Sequence, residues 1–210
     1  RSDFPRAKDL YDAWVRGMEA AFDRQYNTMR GYRLGYADRY FPNLLREGLA
    51  RTTGERRLLA QLPDEWDFRY DAEDEKAGWA SGDAPRAGWT RVRTYSATLN
   101  EQGIPERLTW MWYRTYFKAP DPLPQGSLHL WFAEVDGTPT RVYVNGRLAG
   151  ELTGARRPGD VDVTGILRPG QENLVVLKTG HMNISELMLG GLLRPAILYA
   201  GARPPAPARK

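Results

Sequence analysis

The sequence predicts a mainly β protein, an antiparallel sandwich or barrel, preceded by an N-terminal helical segment. After residue 63, short runs of aromatic and β-branched residues recur at intervals of about 8–12 residues, with Gly and Pro turn signals between them. Before residue 63, apolar residues recur at spacings of three and four, which is the period of a helix. Strands and helices do not alternate after residue 63, so we expect neither a doubly wound fold nor a complete catalytic β/α barrel.

A long amphipathic helix is predicted over residues 5–30. Leu10, Trp14 and Met18 lie on one apolar stripe of this helix, and Asp3 has a side chain suited to capping its N-terminus. Three alternatives stay open for the surface that covers this stripe: the β domain, a domain absent from this chain, or a separate protein.

Two shorter helices are predicted before the strands begin. One begins near Pro42. Thr52 and Glu55 have the spacing of a capping box, which predicts the other over residues 54–62. Residues 1–62 are therefore interpreted as a helical linker or packing segment.

Beyond Pro63 the strands carry the fold. The strongest turn signal is Asn145-Gly146, because both residues tolerate the positive φ of a type I′ hairpin turn. Residues 63–201 are interpreted as one β-sandwich domain, and residues 202–210 as a disordered, Pro-rich basic tail. The strands are predicted at 65–71, 89–95, 110–118, 127–135, 140–144, 147–151, 160–163, 173–179 and 192–200.

Composition excludes several classes of protein. The 210 residues contain no cysteine, so there is no disulfide framework, thiolate zinc site or cysteine nucleophile. No apolar run approaches the roughly 20 residues that span a bilayer, and no membrane partner is expected. The net charge of +4 is concentrated outside the β-rich part, which is slightly acidic, so we expect no nucleic-acid partner. The chain begins at Arg1, which we interpret as a fragment or a processed form.

No catalytic residue is predicted, and whether the protein acts as an enzyme stays open. His129 and His181 are the two histidines of the chain, and neither accompanies a nucleophile elbow or a Ser-His-acid pattern. No HExxH or phosphate-loop motif is present, and no cofactor is expected. The acidic run at 71–75 offers oxygen ligands for calcium, but it lacks the spacing of a calcium loop, which favours a solvated loop.

The aromatic residues point to ligand binding rather than catalysis. The chain holds 7 Trp and 11 Tyr, and flat rings of this kind stack on the C–H faces of sugars as readily as they fill a core. The loop after residue 180 is the most polar one, and its Asn183-Ile184-Ser185 matches a glycosylation acceptor, which we discount because the Arg/Ala/Gly-rich composition looks bacterial. The candidate ligand-binding residues are Trp79, Trp110, Arg156, His181, Asn183 and Glu186.

Several motifs occur in one fixed order. They are Trp112-Tyr113-Arg114 followed by Phe117, Val135-Asp136, VYVNGRLAG (142–150), Pro158 with DVDVT (160–164), PGQENLVV (169–176) and GGLLRPAIL (190–198). This order resembles the sugar-binding domain of glycoside hydrolase family two, which includes β-galactosidases, β-glucuronidases and β-mannosidases. The resemblance covers about residues 63–200.

The resemblance implies a galactose-binding-like jelly roll that is not the catalytic domain, because a separate barrel supplies the acid and the nucleophile in these enzymes. In some members, loops of this domain border the sugar subsite, through an Asn shortly before the aromatic strand and an acid before the Gly-Gly pair. Here the first neighbourhood reads Glu106-Arg107-Leu108-Thr109, and Glu186 precedes Gly190.

The sequence therefore predicts a non-catalytic, carbohydrate-binding module of a glycoside hydrolase, with a glycan and a catalytic barrel as its partners. The alternative is a purely structural domain that packs against a barrel through the N-terminal helix. We expect a periplasmic or secreted location rather than a cytoplasmic one.

Overall fold

The computed structural model describes residues 3–22, 41–71, 78–85, 87–181 and 190–201. In these residues two antiparallel sheets form a β-sandwich, which confirms the predicted mainly β fold. The helices are α1 (Phe4–Phe22) and α2 (Phe41–Thr52). The strands are β1 (Arg57–Gln61), β2 (Glu65–Tyr70), β3 (Thr90–Arg93), β4 (Thr109–Lys118), β5 (Leu128–Asp136), β6 (Thr140–Val144), β7 (Arg147–Leu152), β8 (Arg157–Asp162), β9 (Glu172–His181), β10 (Gly191–Leu192) and β11 (Ala196–Ala200).

The two sheets differ in their order of strands. The six-stranded sheet has the order β3-β2-β4-β9-β6-β7, and the five-stranded sheet has the order β1-β11-β5-β10, with β8 paired to β5. The long pair of β4 and β9 runs in register from Thr109 opposite His181 to Lys118 opposite Glu172. This pair therefore connects the two ends of the sandwich.

The core lies between the sheets because successive side chains of a strand point to opposite faces. On β4, Met111 and Tyr113 point into the core, while Trp112 belongs to a separate apolar cluster on the outer face. Leu130 and Phe132 of β5 meet them from the other sheet and are fully buried. Each sheet therefore has an apolar outer face that also requires a cover.

Helices α1 and α2 cover the outer face of the five-stranded sheet. Phe4 and Leu44 pack against the buried cluster of Trp131, Ile197 and Tyr199. The Phe4 and Trp131 rings meet edge to face with centroids 5.8 Å apart. Apolar packing thus holds the helical segment on the sandwich.

An ionic contact adds to this packing. Arg51 of α2 binds Asp160 of β8, with its Nε 2.9 Å from Oδ1, and its Nη1 lies 2.6 Å from the Glu47 carboxylate. The Arg51 guanidinium also lies 5.2 Å from the centre of the Trp131 ring. The same Asp160 accepts a hydrogen bond of 2.9 Å from the Tyr199 hydroxyl. Helix α2 is therefore joined to both β8 and β11.

The helical predictions are confirmed in part. Asp3 caps α1, since its carboxylate accepts a hydrogen bond of 3.1 Å from the Arg6 backbone N–H. The second helix begins at Phe41, beside the predicted Pro42. Residues 23–30 of the predicted first helix lie outside the described residues. Neither helix is both long and apolar enough within the described residues to cross a membrane.

The predicted third helix over 54–62 is wrong. Arg57–Gln61 forms β1, which pairs with β11 at the edge of the five-stranded sheet. Thr52 ends α2 and donates its hydroxyl to the Gly48 carbonyl at 2.8 Å, so it caps no further helix. Pairing with a sequence-remote strand outweighed the local helical propensity. The division of the chain at Pro63 stays a prediction.

The predicted hairpin is confirmed in detail. Asn145 and Gly146 have φ values of 51° and 81°, as a type I′ turn requires. The Asn145 side chain donates to Asn173 Oδ1 at 2.8 Å, and Asn173 is fully buried. Asn173 in turn donates to the Arg168 and Gln171 carbonyl oxygens. The VNG and PGQEN motifs are therefore one hydrogen-bonded structural unit.

Candidate functional site

The outer face of the six-stranded sheet carries the aromatic residues that the sequence indicated. Trp112, Tyr143, Leu174 and Val176 form its apolar cluster. Residues 78–85 and 87–89 lie over this cluster, and Trp79 and Trp89 within them pack against it. The rings of Trp79 and Trp89 meet nearly perpendicularly with centroids 5.9 Å apart.

The exposed surface of Trp79 is limited by its neighbours. The Arg69 guanidinium lies 3.8 Å from the centre of the ring, over one face of it. The indole Nε1 donates to the Asp71 carboxylate at 2.8 Å, and Arg69 binds the same carboxylate at 3.1 Å. Trp79 is therefore half-buried, and a sugar could reach only what Arg69 and Trp89 leave uncovered.

Trp110 lies at the start of β4, as the predicted strand over 110–118 requires. Lys178, on the neighbouring β9, places its Nζ 4.5 Å from the centre of the Trp110 ring and 5.4 Å from that of Trp112. The Lys178 residue is only 2% exposed. Ammonium groups bind aromatic faces more strongly when water is excluded, so this contact stabilises the sheet.

A polar cluster lies at the same end of the sandwich, next to the start of β4. His181 ends β9 and is 4% exposed. Its Nε2 lies 2.5 Å from Oε1 of Glu106. The ring also borders Gly190, where an added Cβ would lie 3.3 Å from Cε1 and Nδ1 of the imidazole. We call Glu106, Asp136, Arg156 and His181 the end cluster.

Arg156 and Asp136 complete the end cluster. Arg156 has a φ of 57°, and its backbone N–H donates to the Val135 carbonyl at 2.8 Å. Its Nη2 donates to Asp136 Oδ2 at 2.9 Å. Asp136 pairs in register with Gly191, which follows the Gly190 that contacts His181. The structure thus brings the predicted Arg156 and His181 to one end of the sandwich.

The Gly-Gly motif has a packing role at this end. Gly191 has a φ of 78°, and a Cβ there would overlap the Tyr113 hydroxyl. Burial raises the pKa of the Tyr113 phenol, so the hydroxyl group stays neutral beneath Gly191. The motif lets β10 cross directly above Tyr113.

Asn183 and Glu186 lie outside the described residues, so their place in the site stays a prediction. The same holds for most of the acidic run at 71–75, and a calcium ion stays a prediction too. Among the residues that the structure describes, no three His, Asp or Glu side chains are grouped to hold a metal ion.

A cleft beside β2, β3 and β4 was not predicted from the sequence. It has a volume of about 510 Å³ and lies on the outer face of the six-stranded sheet. We call it the β2–β4 cleft. Its lining includes Glu65, Asp67, Arg91, Arg114, Tyr116 and Glu172.

Asp67 and Arg114 form the floor of the β2–β4 cleft. Arg114 is 2% exposed, and its Nε lies 3.2 Å from Asp67 Oδ2. Its guanidinium lies 4.1 Å from the centre of the Trp89 ring. Arg91 reaches the other oxygen of Asp67 at 3.3 Å. A buried arginine in the aromatic run of β4 was the signal in the sequence that could have marked this cleft.

Comparison with known proteins gives a consistent result. No family model matches the chain. A β-galactosidase of Thermoanaerobacter pseudethanolicus is 30% identical over 91 residues, which are 43% of this chain and 12% of that protein. A β-glucuronidase of Ruminococcus gnavus superposes with a TM-score of 0.58 at 22% identity, over 71% of this chain and 29% of that one. An uncultured Clostridium sp. β-glucuronidase gives 0.57 at 21% identity, over 70% of this chain and 29% of that one.

The resemblance to a β-sandwich domain of glycoside hydrolase family two is confirmed. The chain spans 12% of the β-galactosidase and 29% of each β-glucuronidase, so it corresponds to one part of much longer proteins. The structural likeness is a likeness of fold. The motifs that carried the resemblance now have physical roles, since VNG and PGQEN hold the hairpin and Gly190-Gly191 passes over Tyr113.

Proposed function

We propose that this chain is the ancillary β-sandwich part of a glycoside hydrolase, where it helps to hold a glycan for a separate catalytic barrel. The observation that supports the proposal is its partial match to longer glycoside hydrolases, together with a polar end cluster on a rigid sheet. The barrel and the glycan are expected from these relatives.

The end cluster suits binding better than hydrolysis. Glycoside hydrolysis uses two carboxyl groups, one of them a proton donor, set about 5–10 Å apart across the scissile bond. Here each carboxylate is already engaged with a base, Glu106 with His181 and Asp136 with Arg156. Fixed polar pairs of this kind offer donors and acceptors to sugar hydroxyl groups.

Titration of the full chain with oligosaccharides tests this proposal. We expect weak, millimolar binding of a β-galactoside or β-glucuronide by calorimetry, and no release of nitrophenol from the nitrophenyl glycosides. Arg156→Ala and His181→Ala should each weaken the binding about tenfold, the order of one lost hydrogen bond. Hydrolysis by the purified chain, or no binding to any glycan, would contradict the proposal.

A second function, assembly without a ligand, is favoured by α1. Leu10 is 62% exposed and Trp14 is 41% exposed, although both belong to its apolar stripe. Phe4 anchors the start of the helix on the sheet, and Tyr11 and Trp14 contact Phe41 of α2. An apolar helix face of this kind is typical of a surface that another domain covers.

Association with the catalytic barrel of the same hydrolase distinguishes the two functions. If α1 serves assembly, Leu10→Glu and Trp14→Glu should abolish co-elution with the barrel and leave the thermal midpoint of the chain nearly unchanged. Lys8→Glu, on an exposed residue of α1, is the matched control. Loss of co-elution in the control as well would show a general charge effect.

A further inference from the structure

We propose that the β2–β4 cleft is a binding site for a neutral sugar residue of a glycan. The inference rests on the proposed function and adds a site to it. The cleft lies at the opposite end of β4 from the end cluster. Trp110 and Tyr116 are six residues apart on that strand, which is roughly 20 Å. The two sites therefore contact different parts of a glycan.

The floor of the cleft is rigid and polar. Asp67 is held between two guanidinium groups, with Arg114 at 3.2 Å and Arg91 at 3.3 Å. Trp89 lies over Arg114, and the Arg114 Nη1 donates to the Ala84 carbonyl at 3.4 Å. A guanidinium carries five N–H donors, and within the described part of the chain Arg91, whose side chain is 62% exposed, uses only its Nε, on Asp67. Preorganised donors and acceptors lower the entropic cost of binding a ligand.

The charges around the cleft nearly cancel, since three acids and two bases line it and two further bases lie beside it. Glu65 lies opposite Arg93 on β3, and Glu172 lies opposite Lys118 on β4. Residues paired in this way have Cβ atoms about 5 Å apart on the same face of the sheet. The acids of the cleft thus face a similar number of bases, so neither an anion nor a cation is strongly favoured. A sugar hydroxyl suits such a site because it both donates and accepts hydrogen bonds.

The wall and the size of the cleft also fit a sugar. Tyr116 is half-buried and contributes an aromatic ring, and Pro63 adds apolar surface. Aromatic rings with a polar tip stack on the C–H face of a pyranose while the hydroxyl group stays available. A volume of about 510 Å³ lies within the range of about 300–1,000 Å³ of small-molecule sites.

NMR titration of the full chain tests the proposal. The ligands are methyl β-D-galactoside and methyl β-D-glucoside as neutral sugars, with D-glucuronate and protonated D-glucosamine as charged ones. We expect a neutral glycoside to shift the side-chain resonances of Arg114 and Trp89 with a millimolar Kd, and the charged sugars to bind about fivefold more weakly. Preferential binding of a charged sugar in the cleft would overturn the neutral-ligand assignment.

Variants separate this site from the end cluster. Glu65→Gln combined with Glu172→Gln should weaken neutral-sugar binding about tenfold, because a neutral amide accepts a weaker hydrogen bond than a carboxylate. Both residues are exposed, so the fold should persist. Glu151→Gln, an exposed carboxylate elsewhere on the same sheet, is the control and should bind normally. Binding that is lost only in Arg156→Ala and His181→Ala would overturn the cleft and leave the proposed function standing. Absence of binding to every sugar by the unaltered chain would overturn both.

Discussion

The two outer faces of the sandwich are both covered, but by different chemistry. The five-stranded face is covered by two helices mainly through apolar contacts around Trp131, with the Arg51 guanidinium also lying over that ring. The six-stranded face is covered by residues 78–85 and 87–89 and by basic groups, with Arg69 over Trp79, Arg114 over Trp89 and Lys178 over Trp110.

This difference separates the two candidate surfaces. Apolar packing excludes water from the whole contact, so the helical face offers only its uncovered stripe, around Leu10 and Trp14, to another domain. On the six-stranded face, Asp67 and the exposed Arg91 leave charged groups at the surface beside the buried Arg114, and the β2–β4 cleft opens there. Ligand binding is therefore proposed on one face and domain assembly on the other.

The largest expected effects come from the two tryptophans at the centres of these faces. Trp112 and Trp131 are both fully buried, and truncation of either to Ala should cost about 3–5 kcal/mol in urea unfolding. Only Trp131→Ala removes contacts of Phe4 and Arg51. Hydrogen exchange should therefore show α1 and α2 opening selectively in Trp131→Ala. Equal exchange of the helices in the two variants would mean that the helices do not depend on this face.

The two arginines of the cleft provide the next comparison, because both bind Asp67. Arg114→Met should destabilise the chain by about 3 kcal/mol, since its side chain is 2% exposed and its loss leaves the floor of the cleft without its buried cation. Arg91→Met should cost about 0–1 kcal/mol, since that side chain is 62% exposed. Urea unfolding measures both. Similar losses in the free energy of unfolding would show that burial does not decide how much each arginine contributes to stability.

The six-stranded cover also shows what the sequence could predict. Alternating residues and the Asn145-Gly146 turn indicated most strands, because these signals are local. The β2–β4 cleft could not be located, because Asp67, Arg91 and Arg114 lie on three strands and meet only through cross-strand register.

The five-stranded face shows the same limit. Strand β1 was predicted as a helix because its partner β11 is remote in sequence. The apolar stripe of α1 was recognised from its spacing, but its contact with the sheet could not be predicted, because Phe4 packs on Trp131 of the sequence-remote β5. Of the candidate site residues, Arg156 and His181 were brought to one end by the pairing of Asp136 with Gly191, which no local pattern encodes.

The ionic contact of the helical face should have a moderate effect. Arg51→Ala removes two partners, Asp160 and Glu47, from a side chain that is 14% exposed, and we expect a loss of about 2 kcal/mol. The control is Arg56→Ala, an exposed residue whose side chain donates to the Ala50 carbonyl, with a cost below about 0.5 kcal/mol. Urea unfolding followed by far-ultraviolet circular dichroism measures both. An Arg51→Ala cost as small as the control's would show that apolar packing alone holds α2.

The last comparison concerns pH, at the same contact, where Tyr199 adds no pH dependence near neutral pH. Burial, together with the neighbouring Asp160, raises the pKa of Tyr199 to about 12. The phenol of an unfolded chain titrates near pH 10, so the folded state favours the neutral form. This contribution is complete below about pH 10 and is lost as the pH rises through about 12.

Tyr199→Phe isolates this contribution, because every other titrating group is shared with the unaltered chain. The free energy of unfolding should fall more steeply between about pH 10 and 12 in the unaltered chain than in the variant. In this range Tyr199 loses its proton in the unfolded state but keeps it in the folded state, and Phe has no proton to lose. Urea unfolding at a series of pH values gives both slopes. Parallel slopes would mean that Tyr199 is as accessible as an unfolded tyrosine. In that case water would reach the Tyr199 hydroxyl at the border of the five-stranded face, as it reaches the β2–β4 cleft on the six-stranded face.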